Sequence, residues 1–369
     1  MRAVVMHDVE HGANVEDVEV LGPRPGEVVV RVAASGVCGS DMHVLHGRSV
    51  VATFPMVLGH EGAGVVEELG EGVTDVAVGD HVVLALYGPC GTCANCRSGR
   101  IVHCDGAERM SNIFGRRADG STALRQGGDT VYPMVGVGSL AEYSVVRSSQ
   151  VVKIPDDVPL DVIALAGCGV TTGVGAVLNT AQVTAGDRVV VVGCGGVGLN
   201  VIQTAKLAGA ATIVAVDTNP TKLDMASNFG ATHCVDASTG SLREALASIA
   251  PGGVDVAFEV VGSPDIVAEL FELTRPGGTT VMVGSPPTGA KIPVDGRALF
   301  SERRLLGTTG GSNVPGRDIP RIVSLYRAGR LDLDRLITQR LPLERVKEAF
   351  DAADAGTVAR SVITMGAAS

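Results

Sequence analysis

The chain has 369 residues and a formal net charge of −10. That length exceeds what one hydrophobic core ordinarily serves, so two domains are expected. The acidic balance argues against a nucleic-acid backbone or an anionic membrane as partner.

No uninterrupted apolar run is long enough to span a bilayer, and the start Met1-Arg-Ala-Val-Val-Met-His7-Asp8 lacks the apolar stretch of a secretory signal. A cytoplasmic location is the expectation. With aromatics at 3% and no tryptophan, Val, Ala, Leu and Ile must fill the core.

The first part of the chain reads as β. Strands are predicted at Glu27–Val32, Gly62–Leu69 and His81–Leu86, separated by glycine-rich turns. This pattern suggests an antiparallel, barrel-like domain. From about residue 156 the pattern changes. Arg188–Gly193 is a continuous apolar run, as in a strand buried on both faces. A helix is predicted over Leu199–Ala208, a strand over Thr212–Asp217 and a helix over Thr221–Phe229. Further strands are predicted at Val254–Val261 and Gly278–Gly284. Strand–helix alternation of this kind implies a parallel sheet covered by helices. Two helices, Ile319–Ala328 and Leu343–Ala353, and a strand, Ala359–Met365, close the chain.

Cys90, Cys93, Cys96 and Cys104 follow a C-x2-C-x2-C-x7-C pattern. Four thiolates so spaced let one loop wrap a tetrahedral zinc ion, with no position left open for chemistry. The competing pattern, that of iron–sulfur ferredoxins, needs a shorter last gap and a proline after the last cysteine. Here the last gap is longer and Asp105 follows. A second, scattered set comprises Cys38, His60 and Cys168, with Asp41 and Glu61 nearby in sequence. Taken singly, each is a weak signal, because buried free cysteines are common. Cys194 and Cys234 have no evident metal partners and are expected to be buried thiols.

Gly193-Cys-Gly195-Gly196-Val197-Gly198 is a G-x-G-x-x-G run that follows a buried strand and opens a helix, and Asp217 ends the next strand. That context marks a dinucleotide-binding unit. Gly193 permits the tight turn, Gly195 lets backbone approach a pyrophosphate and Gly198 lets helix and strand pack. Asp217 would accept hydrogen bonds from ribose hydroxyls and repel a 2′-phosphate, which favours NAD over NADP. Lys222 is placed to add a ribose contact.

In combination, Gly59-His-Glu-Gly-Ala-Gly64, the four-cysteine loop and Gly193–Gly198 resemble the zinc-dependent alcohol dehydrogenases of the medium-chain dehydrogenase/reductase superfamily. The resemblance runs from Pro25 to Met365. It implies an α/β fold, a doubly wound Rossmann sheet joined to a mostly antiparallel, GroES-like β-barrel catalytic domain. Residues 1–169 and 310–369 would form the catalytic domain and 170–309 the cofactor domain. Cys38, His60 and Cys168 would hold a catalytic zinc, the Cys2His set known from this family, and the loop cysteines a structural one. Glu61 would approach the metal, and Asp41 would orient His60. Ser40 would take the alcohol proton and His43 would relay it outward, with His46 as a competing acceptor. Thr172 and Val197 would pack on the nicotinamide, and Arg360 would contact the pyrophosphate.

The implied activity is NAD-dependent hydride transfer between a primary or secondary alcohol and its aldehyde or ketone (EC 1.1.1.-). Losing hydride requires losing a proton too, and a Lewis acid makes the alcohol acidic enough to do so. Two zinc ions per chain and a small-molecule substrate are expected, with a homodimer or homotetramer built through Ile292–Gly310. Gly39 departs from the family, many members of which carry a basic residue there. The segment Gly106–Gly138 does not align and is expected to shape the substrate entrance. Three alternatives stand beside this reading. A polyol dehydrogenase would often carry a carboxylate in place of Cys168. A dehydrogenase of thiol–formaldehyde adducts would need a charged pocket, with Arg116 and Arg117 as candidates. The third is an inactive zinc-stabilised binding protein.

Overall fold

The computed structural model describes residues 1–366. The chain divides into two compact units. The first comprises Met1–Cys168, Val314–Arg327 and the stretch from Leu333 onward, and the second Gly169–Asn313 with Ala328–Asp332. The second unit thus takes in Gly169 and residues 310–313 and 328–332, which the sequence assigns to the first. The reason is local packing. A Cβ on Gly175 would stand 2.1 Å from the Gly311 carbonyl oxygen, and the Asp332 amide donates to Gln203 Oε1 at 2.9 Å.

The first unit is built on a seven-stranded sheet. Its order is Val151–Lys153, His81–Leu84, Glu61–Leu69, Glu27–Gly36, Arg360–Thr364, Ile337–Pro342, with Tyr143–Arg147 also pairing to Glu27–Gly36. All of these pairs are antiparallel except the last two strands in the order. Strand Glu27–Gly36 is the hub. Val28, Val30 and Val32 enter the core beside Leu84, Leu140 and Ile363, which the alternation of side chains along a strand requires. The strand predicted over His81–Leu86 ends at Leu84, because the Ala85 and Leu86 amides turn to the carbonyls of Gln150 and Gly167. A six-stranded sheet carries Arg2–Met6 and the hairpin Leu124–Gln126/Asp129–Pro133. That hairpin, with the helix Ala107–Asn112, forms much of the unaligned segment.

In the second unit every strand pair is parallel. The sheet order is His233–Asp236, Thr212–Asp217, Arg188–Val192, Val254–Glu259, Thr274–Met282, Arg304–Gly307. Numbered along the chain this is 3-2-1-4-5-6, the doubly wound arrangement whose switch point lies between strands 1 and 4. Val190, Val192, Val214, Val216 and Ala257 fill its core. Cys194 is buried, but Cys234, expected to be buried too, is exposed. Its short strand lies at the sheet edge, where packing covers one side only. Two helices absent from the sequence reading, Leu242–Ile249 and Pro264–Leu273, start at Ser241 and Ser263, whose side chains cap them. No single helix among the described residues is long and apolar enough to cross a membrane.

Candidate metal centres and cofactor loop

The four loop cysteines converge as their spacing predicts. Their sulfurs lie within 4.8 Å of one another, and Cys90–Cys96 and Cys93–Cys104 are each 4.0 Å apart. A tetrahedral zinc with Zn–S near 2.3 Å sets its sulfurs about 3.8 Å apart. Backbone amides already aim at these sulfurs: Cys90 N at Cys104 Sγ (3.3 Å), Cys93 N at Cys90 Sγ (3.4 Å) and Cys96 N at Cys93 Sγ (3.4 Å). Such bonds stabilise thiolates. The Thr92 hydroxyl and the Thr92 and Cys93 amides lower the Cys90 pKa to about 6, whereas burial and then Cys93 raise that of Cys96 to about 12. The donor set fits zinc.

The second set is assembled from three distant segments of the first unit. Strand Glu27–Gly36 delivers Cys38, strand Glu61–Leu69 opens directly after His60, and the turn before Cys168 passes beneath both. The antiparallel register pairs Gly36 with Glu61. A Cβ on Gly36 would stand 2.3 Å from Glu61 Oε2, and one on Gly167 would stand 2.7 Å from the Leu84 carbonyl oxygen. Glycine before each ligand segment is therefore a condition of their meeting. One ligand atom each of Cys38, His60, Glu61 and Cys168 lies within 4.8 Å of all the others. A common centre is then within about 3 Å of each, close to zinc–ligand distances.

The surroundings of this site carry its electrostatics. His60 is 1% exposed, yet neither ring nitrogen makes a hydrogen bond of normal geometry. A buried imidazole left so is costly, and a metal on one nitrogen with a carboxylate near the other relieves it. Asp41 Oδ1 stands 3.5 Å from His60 Nδ1. Fully buried, Asp41 also accepts from the Cys38 amide at 2.8 Å and the Gly59 amide at 3.1 Å. It therefore ties two ligand segments together as well as facing the imidazole. Arg360 is buried beside the set, donating from Nη1 to the Val37 carbonyl at 3.1 Å, with Nη2 3.5 Å from Glu61 Oε1. Burial would lower its pKa, but Glu61 and then Cys38 raise it. Contact with Cys168, against the cost of burial, lowers the pKa of Cys38, while Cys38 and burial raise that of Cys168. The residues present fit a zinc ion here too.

Ser40 and His43 lie on the helix Gly39–Leu45 that starts after Cys38, Ser40 exposed and His43 half-buried. Their three-residue spacing puts them on one helix face. His46, the competing acceptor, is an exposed helix cap paired with Asp354 at 3.1 Å. Arg117 is engaged by Glu27 in a two-pronged pair at 2.7 Å and by the Thr122 carbonyl. Arg116 stacks near the rings of Phe114 and Tyr132. The sequence reading passed over Arg109 and Tyr87. Arg109 lies 5.2 Å from the centre of the Tyr87 ring, and its Nε is buried without a hydrogen-bond partner. Burial and the nearby charge of Cys168 raise the Tyr87 pKa.

In the second unit, Gly193–Gly198 joins strand Arg188–Val192 to helix Gly196–Ala208. A Cβ on Gly198 would be 1.9 Å from the Gly193 carbonyl oxygen, whereas one on Gly195 would meet nothing within 4 Å. The first close approach explains the last glycine. The open space at Gly195, at the helix N-terminus, is a cradle that suits a phosphate. Asp217 Oδ2 accepts from the Cys194 amide at 2.8 Å, so the acidic residue also braces the loop. Asp217 and Lys222 both act electrostatically on Cys194. Thr172 and Val197 are half-buried on two helices that pack through Gly173, whose Cβ would stand 2.8 Å from the Val197 carbonyl oxygen.

Comparison with known proteins agrees with this geometry. Residues 24–156 match the alcohol dehydrogenase GroES-like domain and residues 196–327 the zinc-binding dehydrogenase domain. The chain is 36% identical to an alcohol dehydrogenase class-P of Arabidopsis thaliana, over 96% of this chain and 94% of that one. It is 37% identical to an S-(hydroxymethyl)glutathione dehydrogenase of Paracoccus denitrificans, over 98% and 99%. The structure of benzyl alcohol dehydrogenase from Acinetobacter calcoaceticus superposes with a TM-score of 0.93 at 32% identity, covering 99% of both chains.

Proposed function

Because the chain belongs to the zinc-dependent alcohol dehydrogenases of the medium-chain superfamily, we propose that it transfers hydride between an alcohol and NAD (EC 1.1.1.-). The observation that carries this reading is the meeting of Cys38, His60 and Cys168 at one buried point. When bound, zinc supplies a Lewis acid that eases loss of the alcohol proton, and NAD supplies the hydride acceptor.

The chain's own groups do the rest. Ser40 takes the alcohol proton, and His43, one helical turn on, passes it towards solvent. Asp41 holds His60 and the Cys38 segment in place. Arg360 offsets the charge of Glu61 and the thiolates and offers Nη2 to the pyrophosphate. Asp217 and Lys222 receive the ribose hydroxyls, and Thr172 and Val197 pack on the nicotinamide. A cysteine at position 168 favours simple alcohols over polyols. The test is a panel of primary alcohols, secondary alcohols, polyols and aldehydes with NAD(H) and NADP(H), run on protein of measured zinc content. Turnover with NAD and two zinc ions per chain is expected, and Ser40→Ala should lower kcat by about 100-fold or more. A clear preference for polyols or for NADP would defeat the reading.

Arg109 favours a second reading, a dehydrogenase of thiol–formaldehyde adducts. Its Nε has no partner, and the Tyr87 ring it covers feels the charge of Cys168. An anionic adduct would find there the charge that Arg116 and Arg117 spend elsewhere. Arg109→Gln should then raise KM for a carboxylate-bearing adduct and leave KM for a plain alcohol unchanged.

We also propose a homodimer or homotetramer built on strand Arg304–Gly307, which ends the parallel sheet. Phe300 beside it is 92% exposed, a side chain that association would cover. Sedimentation at the mass of a single chain would defeat this. We propose a cytoplasmic location as well, because four of the cysteines crowd into one loop at metal-ligand spacing, as suits a reducing compartment better than a disulfide framework does.

A further inference from the structure

Glu259 is the last residue of strand Val254–Glu259, and its register partner on the neighbouring strand is Val192. These two strands flank the switch point of the doubly wound sheet, where such folds take their ligands. A carboxylate there, next to the loop that would receive a pyrophosphate, works against an anion unless it does something else. It is 0% exposed. Its Oε1 accepts from three successive backbone amides, Val261 at 2.8 Å, Gly262 at 2.7 Å and Ser263 at 3.1 Å. Three amides converging on one oxygen form a nest of the kind that elsewhere binds external anions. Here the chain fills the nest itself. Oε2 is buried without a hydrogen-bond partner. Burial raises the carboxyl pKa against the pull of the three amides.

The turn held in this way is pressed against the fingerprint. A Cβ on Gly193 would stand 2.9 Å from Val261 Cγ2 and 3.2 Å from the Val260 carbonyl carbon. On the other side, Gly262 is in the left-handed region at φ +95°, and a Cβ there would be 2.5 Å from the Ser285 carbonyl oxygen. The turn has no slack on either side. Whatever moves it also moves Gly193, the pivot from which the phosphate loop departs.

We propose that Glu259 is a positioning residue for dinucleotide binding, clamping the turn Val260–Ser263 against Gly193 so that the glycine loop keeps the shape that receives a pyrophosphate. This rests on the dinucleotide reading above, but not on the identity of the alcohol. The clamp depends on an acceptor oxygen at one distance, not on negative charge. Glu259→Gln keeps that oxygen and loses the charge, whereas Glu259→Asp keeps the charge and withdraws the oxygen by one methylene.

The experiment titrates NADH and NADPH into the full-length zinc-loaded wild type and both variants by fluorescence, with steady-state kinetics in parallel. The dinucleotide that the wild type binds is the probe. Glu259→Asp is expected to raise its Kd and KM about tenfold, one to two amide bonds' worth of binding energy, and Glu259→Gln less than about threefold. In both variants kcat at saturation, KM for alcohol and two zinc ions per chain should hold. Hydrogen exchange at the 261–263 amides should quicken in Glu259→Asp alone. The reverse order, with Gln weak and Asp normal, would overturn the clamp, as would equal loss of zinc, alcohol affinity and dinucleotide affinity in the Asp variant. Dinucleotide binding without alcohol turnover in the wild type would defeat the proposed reaction and leave the clamp standing on its Kd values. Binding of neither dinucleotide would overturn both.

Discussion

Replacing Asp41 tests how the metal centre is held. The carboxylate is fully buried and accepts two backbone amides, Cys38 N and Gly59 N, at 2.8 and 3.1 Å. In Asp41→Ala both amides lose their acceptor, at about 1–3 kcal/mol each, so about 2–6 kcal/mol of stability is at risk. Asp41→Asn keeps the shape and one acceptor oxygen but turns an NH2 group towards a donor, which costs about half as much. Each amide belongs to a ligand segment, and Oδ1 also faces His60 Nδ1 at 3.5 Å. Zinc at Cys38, His60 and Cys168 should therefore weaken by about 10–100-fold in Asp41→Asn. The four-cysteine loop has no part in this network and should keep its ion. The assay is zinc per chain by atomic emission after dialysis against chelators of graded strength, with thermal melts alongside. The variant should fall to one zinc under conditions in which the wild type retains two. Retention of both ions at every chelator strength, with an unchanged melt, would refute the reasoning.

Three further outcomes are expected. Gly198→Ala would place a methyl carbon 1.9 Å from the Gly193 carbonyl oxygen. The loop or helix must then shift by more than 1 Å, costing about 1–3 kcal/mol and most of the dinucleotide affinity, as calorimetric titration would show. Cys96→Ser should leave one zinc per chain and lower the melting temperature by about 5–10 °C, because a lost metal crosslink costs a few kcal/mol; an unchanged melt would count against a structural role for the loop. Asp255 is gripped by Arg188 and Arg275. Burial opposes, but these partners hold its pKa below the ordinary value. Its contribution, about 1 kcal/mol for a partly exposed pair, is present above the unfolded pKa of about 3.9 and lost as pH falls through the lower folded value. The stability gap between wild type and Asp255→Asn should therefore narrow as pH falls below about 4, and a gap independent of pH in denaturant titrations would contradict the assignment.

The four-cysteine loop and the glycine fingerprint are legible in the sequence because each is local. Cys90 to Cys104 close on themselves within one loop, and Gly193 to Asp217 span one turn, one helix and the strand that follows. Short-range spacing encodes short-range geometry, and the continuous valine runs announce strands buried on both faces. The catalytic set is different in kind. Cys38, His60 and Cys168 are far apart in the chain, and only resemblance to a family joined them in the sequence. What brings them together is strand register, Gly36 against Glu61, and the close approach at Gly167, which no spacing reveals. Tertiary structure alone decided that Arg117 is spent on Glu27, that His46 is tied to Asp354, that Arg360 lies against Glu61 and that Glu259 fills a nest of amides. Each of these fates depends on which polar or charged partner folding brings near, and Arg117, Arg360 and Glu259, being largely or fully buried, must take the partner at hand because leaving a buried charge unmet costs more.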